Sequence, residues 1–148
     1  MSDDEPAPES IDPGVAAGLR VLVADDTFIT QAMMVARLKK LGCEVSVADN
    51  GRDAVLAVQS SPVDCIFMDY HMPILDGVEA TKEIRAWEAE QAARGEGKPR
   101  IYIVAFTATS QASDRVILTA AGMDDFLSKP MTVDDLIGVL RRVSARAA

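Results

Sequence analysis

The residues best suited to joint chemistry are the adjacent pair Asp25-Asp26, the acid Asp69, the hydroxyl of Thr107 and the ammonium of Lys129. Each stands at the end of an apolar run: Val21-Leu22-Val23 precedes the acidic pair, Cys65-Ile66-Phe67-Met68 precedes Asp69, Ile101-Tyr102-Ile103-Val104 leads to Thr107, and Phe126-Leu127 leads to Lys129-Pro130. Three carboxylates brought together repel and raise one another's pKa, so the charged group is stable only around a cation. A hydroxyl and an ammonium beside them would suit the oxygens of an anionic group. Singly, each residue has an ordinary use. Asp25 or Asp26 could cap a helix, Asp69 could be a solvated loop acid, Thr107 a β-favouring strand residue and Lys129 a snorkelling surface cation. The choice between joint and separate roles depends on the elements that carry them.

Apolar β-type runs alternate with helix-like segments along the chain. Strands are expected over residues 19–24, 44–48, 63–68, 101–106 and 125–128. Three of the runs are nearly continuous in hydrophobicity, the pattern of parallel strands covered on both faces. A first helix is expected over 27–41, with Ile29, Ala32, Met33, Ala36 and Leu41 forming its buried stripe before Gly42 ends it. Asn50-Gly51 opens a second, which carries Ala54, Val55, Ala57 and Val58 and ends at Gln59 before Ser60-Ser61-Pro62. A third runs from Val78 to about Ala93, with Trp87 packed near its middle, and a fourth lies between Ser110 and Ala121 with Gly122 as its stop. Thr132-Val133-Asp134-Asp135 resembles a capping box opening a fifth. The expected fold is α/β, a doubly wound (βα)₅ five-stranded parallel sheet. Ligands of such sheets bind beyond the carboxyl ends of the strands. With strands one, three, four and five side by side, all the candidate residues converge on that edge.

Composition narrows the possibilities further. The chain has 148 residues and is 49% hydrophobic, enough for one domain with its own core. Residues 1–18, rich in Pro, Asp, Glu, Ala and Ser, read as a flexible acidic leader, and 19–146 as the domain. A net charge of −8 opposes direct contact with nucleic acid or anionic lipid. No apolar stretch suits membrane insertion, and the N-terminus lacks the features of a signal peptide, so a cytoplasmic location is expected. Cys43 and Cys65 follow no metal or redox spacing and read as packing residues. Arg115, Arg141 and Arg142 read as solvated helix faces in preference to partner contacts.

Four stretches together resemble the receiver (response-regulator) domains of two-component signalling systems: Val21-Leu22-Val23-Ala24-Asp25-Asp26, Met68-Asp69-Tyr70-His71-Met72-Pro73-Ile74-Leu75-Asp76-Gly77, Ala105-Phe106-Thr107-Ala108, and Gly122-Met123-Asp124-Asp125-Phe126-Leu127-Ser128-Lys129-Pro130. The resemblance covers about 19–143, and Thr107-Ala108 with Ala120-Ala121-Gly122-Met123-Asp124-Asp125 is closest to receivers of hybrid histidine kinases. It implies a flavodoxin-like fold and Mg²⁺, a cation that prefers oxygen ligands and retains waters. Asp26, Asp69 and the backbone carbonyl of His71 would bind it directly and Asp25 largely through water. Asp69 would be the phosphoacceptor, with Thr107, the N–H of Ala108 and Lys129 holding the phosphoryl oxygens. The resemblance also implies a cis Lys129–Pro130 bond, a switch pairing Thr107 with Phe126, and control of phosphate lifetime by His71 and Thr109. The phosphodonor would be a histidine kinase or histidine phosphotransfer protein. The output would pass to another protein through helix four, strand five and helix five, since no output domain is apparent in this chain. The domain would act by self-catalysed phosphotransfer and slow autodephosphorylation and not as an enzyme on external substrate.

Three other readings use parts of the same pattern. A haloacid-dehalogenase-type phosphohydrolase would also use Asp, Thr, Lys and Mg²⁺, but expects a second Asp where His71 stands. A flavodoxin-like cofactor binder shares the fold, but the acidic turn Asp25-Asp26-Thr27 would repel a flavin phosphate. A receiver-like module that binds partners without phosphorylation would not need Asp69, Asp26, Thr107 and Lys129. The ordinary alternative for Phe126, less favoured than the switch role, is a static core aromatic.

Overall fold

The strands β1 (Arg20–Ala24), β2 (Glu44–Ala48), β3 (Cys65–Met68), β4 (Tyr102–Thr107) and β5 (Asp125–Ser128) pair in parallel in one sheet of order β2-β1-β3-β4-β5. The structure is a computed structural model that describes residues 16–108 and 112–147. Helices α1 (Phe28–Lys40), α2 (Gly51–Ser60), α3 (Gly77–Ala93), α4 (Ala112–Ala121) and α5 (Val133–Ala147) connect and flank the strands. The sheet is the expected (βα)₅ arrangement.

Alternation along the strands divides the core in two. Val21 and Val23 of β1 point with Cys65, Phe67, Val104 and Phe106 toward Met34 and Leu38 of α1 and Leu136 and Leu140 of α5. Leu22, Ala24, Ile66, Met68, Ile103 and Ala105 point the other way, toward Ala54, Val55 and Val58 of α2, Ile84 of α3 and Leu118 of α4. Both faces of the central strands are therefore dry, which explains their unbroken apolar runs. Burial of each large aliphatic or aromatic side chain contributes about 1.5–3 kcal/mol relative to exposure. Cys43 and Cys65 are both buried, as expected of packing residues.

The helix ends follow their local chemistry. Asn50 accepts from the Asp53 N–H at 2.8 Å and Asp76 from the Glu79 N–H at 2.8 Å, capping α2 and α3. At α5, Thr132 Oγ1 accepts from the Asp135 N–H at 3.0 Å, the main bond of the expected capping box. Gly122 ends α4 at φ +113°, where a side chain would be strained.

Several expectations need correction. The buried positions of α1 are Gln31, Met34 and Leu38, while Ile29 is 78% exposed and Ala32 and Ala36 also face solvent. Hydrophobicity misplaced the face because a glutamine stands on it, its amide nitrogen bonded to Asp25 and Asp49. β3 begins at Cys65 and not at 63; Asp64, just before it, holds Arg20 through its carboxylate. β4 runs one residue further than expected: Thr107 is a strand residue, paired with Ser128. α2 extends to Ser60, whose hydroxyl donates to the Leu56 carbonyl. Of the expected leader, 1–15 lies outside the described residues. Ala16, however, is buried in the core and the Gly18 N–H donates to the Gly42 carbonyl, so packing starts before Leu19. The expected start of helix four, Ser110, also lies outside the described residues.

Candidate functional site

Strand register brings the acids together. Ala24 of β1 pairs with Met68 of β3, so the residues that follow, Asp25 and Asp69, emerge side by side, and the Asp69 N–H donates to the Ala24 carbonyl at 2.9 Å. Met68 pairs with Ala105 and Thr107 with Ser128, which sets Thr107 and Lys129 along the same edge. The Lys129 N–H donates to the Thr107 carbonyl at 2.9 Å. The Lys129–Pro130 bond is cis, as the resemblance implies.

Asp25, Asp26 and Asp69 each place a carboxylate oxygen within 4.8 Å of the others. Asp25 is fully buried, Asp69 nearly so, and Asp26 exposed. Lys129 Nζ stands 2.7 Å from Asp25 Oδ2 and 3.4 Å from Asp69 Oδ1. The other oxygen of Asp25 accepts from the Thr27 N–H at 2.8 Å. Neither Asp25 nor Asp26 caps α1; its N-cap is Thr27, which makes no side-chain capping bond. The pKa of Asp69 is raised: burial is the largest cause, Asp25 and Asp26 push the same way, and Lys129 opposes them. A carboxylate group of this kind, made only of oxygen donors and with one member open to solvent, fits a hard divalent cation that keeps part of its water.

The remaining expected residues surround this group. Thr107 is buried at the end of β4, with the exposed Ala108 next to it. His71 lies in the loop after Asp69 with its ring exposed and stacked on Tyr70, centroids 4.3 Å apart and planes 9° apart. Phe126 is half-buried on β5, and the Arg115 guanidinium carbon lies 4.5 Å from its ring centroid. Thr109 lies outside the described residues. At the start of α3 a side chain on Gly77 would place its Cβ 2.1 Å from the Asp69 carbonyl oxygen, so α3 approaches the acid as closely as only glycine allows.

The sequence reading missed Gln31. Its Nε2 donates to the Asp25 carbonyl at 2.5 Å and to Asp49 Oδ1 at 2.8 Å. The available signal was spacing: Gln31, Met34, Leu38 and Leu41 follow one another at three, four and three residues, a helical face in which the glutamine is the polar member. Arg142 lies on a solvated helix face as expected and in addition bonds Asp125 through Nε at 2.6 Å, and Asp125 also accepts from the Tyr102 hydroxyl at 2.8 Å.

The profile of the response regulator receiver domain family matches residues 21–141. The chain belongs to this family. The receiver is 38% identical over 121 residues to the sensor histidine kinase GacS of Pseudomonas protegens, a match covering 82% of this chain and 13% of that protein. It is 39% identical over 130 residues to the virulence sensor protein BvgS of Bordetella bronchiseptica, covering 88% of this chain and 10% of that one. The chain thus spans a small part of the length of these relatives. Among solved structures, the receiver domain of a sensor histidine kinase from Pseudomonas aeruginosa PAO1 superposes with a TM-score of 0.75 at 35% identity, covering 87% of this chain and 99% of that one. That domain carries a magnesium ion in its active-site cleft. The receiver domain of the Saccharomyces cerevisiae response regulator Ssk1, solved with the histidine phosphotransfer protein Ypd1, superposes with a TM-score of 0.82 at 29% identity, covering 89% and 92%. Among the described residues, no helix is long and apolar enough to cross a membrane.

Proposed function

We propose that this receiver takes a phosphoryl group onto Asp69 from a phosphohistidine of a histidine kinase or histidine phosphotransfer protein, in a Mg²⁺-dependent reaction. One observation carries the reading: Asp69 shares the carboxyl edge of the sheet with Asp25 and Asp26, all three oxygens within 4.8 Å, under the ammonium of Lys129. Asp26, Asp69 and the His71 carbonyl would hold Mg²⁺ directly and Asp25 through water. Bound Mg²⁺ supplies positive charge that offsets the carboxylates and the phosphoryl oxygens. The partner class is supported by the Ssk1 receiver solved with its phosphotransfer protein.

In the reaction an Asp69 oxygen forms the new P–O bond, the P–N bond to the donor imidazole breaks, and its electron pair stays on the imidazole nitrogen. Lys129 and the hydroxyl of Thr107, with the N–H of Ala108, hold the phosphoryl oxygens. Thr107 turning inward opens space for Phe126, and the changed face of α4, β5 and α5 meets the downstream protein. His71 governs the approach of water and so the slow hydrolysis of the acyl phosphate. The domain is read as residues 19–146, with the turn from Ala16 packed onto it, and its location as cytoplasmic.

The test is intact mass after incubation with acetyl phosphate, with and without Mg²⁺, for the native chain and for Asp69→Ala. A gain of one phosphoryl group that needs both Mg²⁺ and Asp69 is expected. No adduct, together with no binding of beryllium fluoride, would leave a module that binds partners without phosphorylation.

A further inference from the structure

We infer that Gln31 is a positioning residue of the acid cluster: from α1 it holds the peptide group joining Asp25 to Asp26 and so sets the direction in which Asp26 faces the cation site. The inference rests on reading Asp25, Asp26 and Asp69 as a Mg²⁺ site.

Gln31 is 8% exposed and sits on the face of α1 that otherwise buries Met34 and Leu38. A leucine would suit that packing, and a buried amide without partners costs free energy. Its neighbours explain its presence. Nε2 lies 2.5 Å from the Asp25 carbonyl oxygen and 2.8 Å from Asp49 Oδ1. Both are acceptors, so the nitrogen faces them and both of its N–H bonds are used. The Asp25 carbonyl belongs to the peptide that leads into Asp26. A peptide is planar, so fixing its oxygen fixes the plane from which the Asp26 Cα departs.

The rest of Asp25 is held by other elements. Its N–H donates to the Ala48 carbonyl of β2 at 3.1 Å, and its carboxylate takes the Thr27 N–H and Lys129. The carbonyl is the group that α1 controls. Asp26 is exposed, so packing does not aim it and its backbone must. Asp49, just past the end of β2, anchors the second N–H of Gln31, so one amide ties the carboxyl ends of β1 and β2 to α1. Groups that orient metal ligands in this way typically change metal affinity by about 10- to 100-fold when removed.

Mg²⁺ binding to the full chain, followed by amide NMR titration, tests the inference with Gln31→Met, which keeps the length and removes both donors, Gln31→Lys, which returns a donor, and Asp26→Asn as control. The Met variant is expected to bind Mg²⁺ about tenfold more weakly or worse, and the Lys variant to recover most of the loss. Phosphorylation by acetyl phosphate should slow in the Met variant at low Mg²⁺ and return to the native rate at saturating Mg²⁺. A Met variant that melts earlier yet binds Mg²⁺ within about twofold of the native chain, a margin well below the orienting effect, would show a merely structural role and overturn the inference. If the Met variant does not fold, Gln31→Asn, which draws the amide back by one methylene, is read by the same criterion. A native chain that binds Mg²⁺ no better than Asp26→Asn would overturn the Mg²⁺ reading itself, and this inference with it.

Discussion

Lys129 Nζ lies 2.7 Å from Asp25 Oδ2 and 3.4 Å from Asp69 Oδ1, so one ammonium serves two buried carboxylates on neighbouring strands. Asp25 is fully buried, so the pair cannot be exchanged for water without moving the site. Removing one partner of a buried pair typically costs about 3–5 kcal/mol, because a charge is left uncompensated. The Lys129 side chain is 23% exposed, and Asp25 keeps the Thr27 N–H, so the cost here should be lower. Lys129→Gln is expected to destabilise the metal-free receiver by about 2–3 kcal/mol in urea unfolding. Adding Asp25→Asn should recover part of that loss; an unchanged midpoint in the single variant would show that the contact contributes nothing.

The raised pKa of Asp69 gives a pH dependence with a definite sign. A carboxyl whose folded pKa lies above its unfolded value binds more protons when folded, so stability falls as pH rises between the two values. The metal-free receiver should therefore lose stability as pH rises from the ordinary carboxylate range through the folded pKa of Asp69. Asp69→Asn removes the buried charge and should flatten that part of the profile. It should also raise Tm near neutral pH by a few degrees, about the shift that 1 kcal/mol gives a chain of this size. Calorimetry in chelator across the acid range checks both, and a native profile that climbs over the same window would contradict the sign.

Gly77 stands where no side chain fits, because a Cβ would come within 2.1 Å of the Asp69 carbonyl oxygen. The clash is with backbone and cannot be relieved by a rotamer change. The Gly77 N–H also donates to the Tyr70 carbonyl at 2.8 Å, which ties the start of α3 to the loop after Asp69. Gly77→Ala should cost about 1–3 kcal/mol, the usual range for overpacking. It should also slow phosphorylation of Asp69 by displacing its main chain. Urea midpoints and acetyl phosphate rates measured together separate this from simple loss of fold: the rate per folded molecule should drop as well.

The strands and their carboxyl-end residues were legible because a sheet dry on both faces writes itself as unbroken apolar runs, each with a polar residue at its end. Val21-Leu22-Val23 before Asp25 and Cys65-Ile66-Phe67-Met68 before Asp69 are of this kind. The buried face of α1 was not legible, because hydrophobicity marks a face only when all its members are apolar. Gln31 is buried with its amide nitrogen bonded to Asp25 and Asp49, while Ile29 is in solvent. Arg142 and Arg115 are surface cations as read, but their partners, Asp125 and Phe126, were not legible, because these pairs are close only once β5 packs against its flanking helices. Pairings set by tertiary approach leave no periodic trace.

Arg115 on α4 places its guanidinium carbon 4.5 Å from the ring centroid of Phe126, and this contact should bias the proposed switch of Thr107 and Phe126. Phe126 is half-buried and pairs in register with Ala105, two residues before Thr107. If Thr107 turning toward a phosphoryl group opens space for the ring, moving the ring inward must break the contact with Arg115. A cation over an aromatic face at an exposed site is worth about 0.5–1 kcal/mol. Removing it should therefore favour the inward ring by about two- to fivefold. Arg115→Gln should raise the affinity for beryllium fluoride in the presence of Mg²⁺ by that factor, with little change in Mg²⁺ affinity itself. A fluorine label on Phe126 should show its inward population rising in the unphosphorylated variant. Equal beryllium fluoride affinity in the two chains would mean that Arg115 only covers the ring and does not hold it.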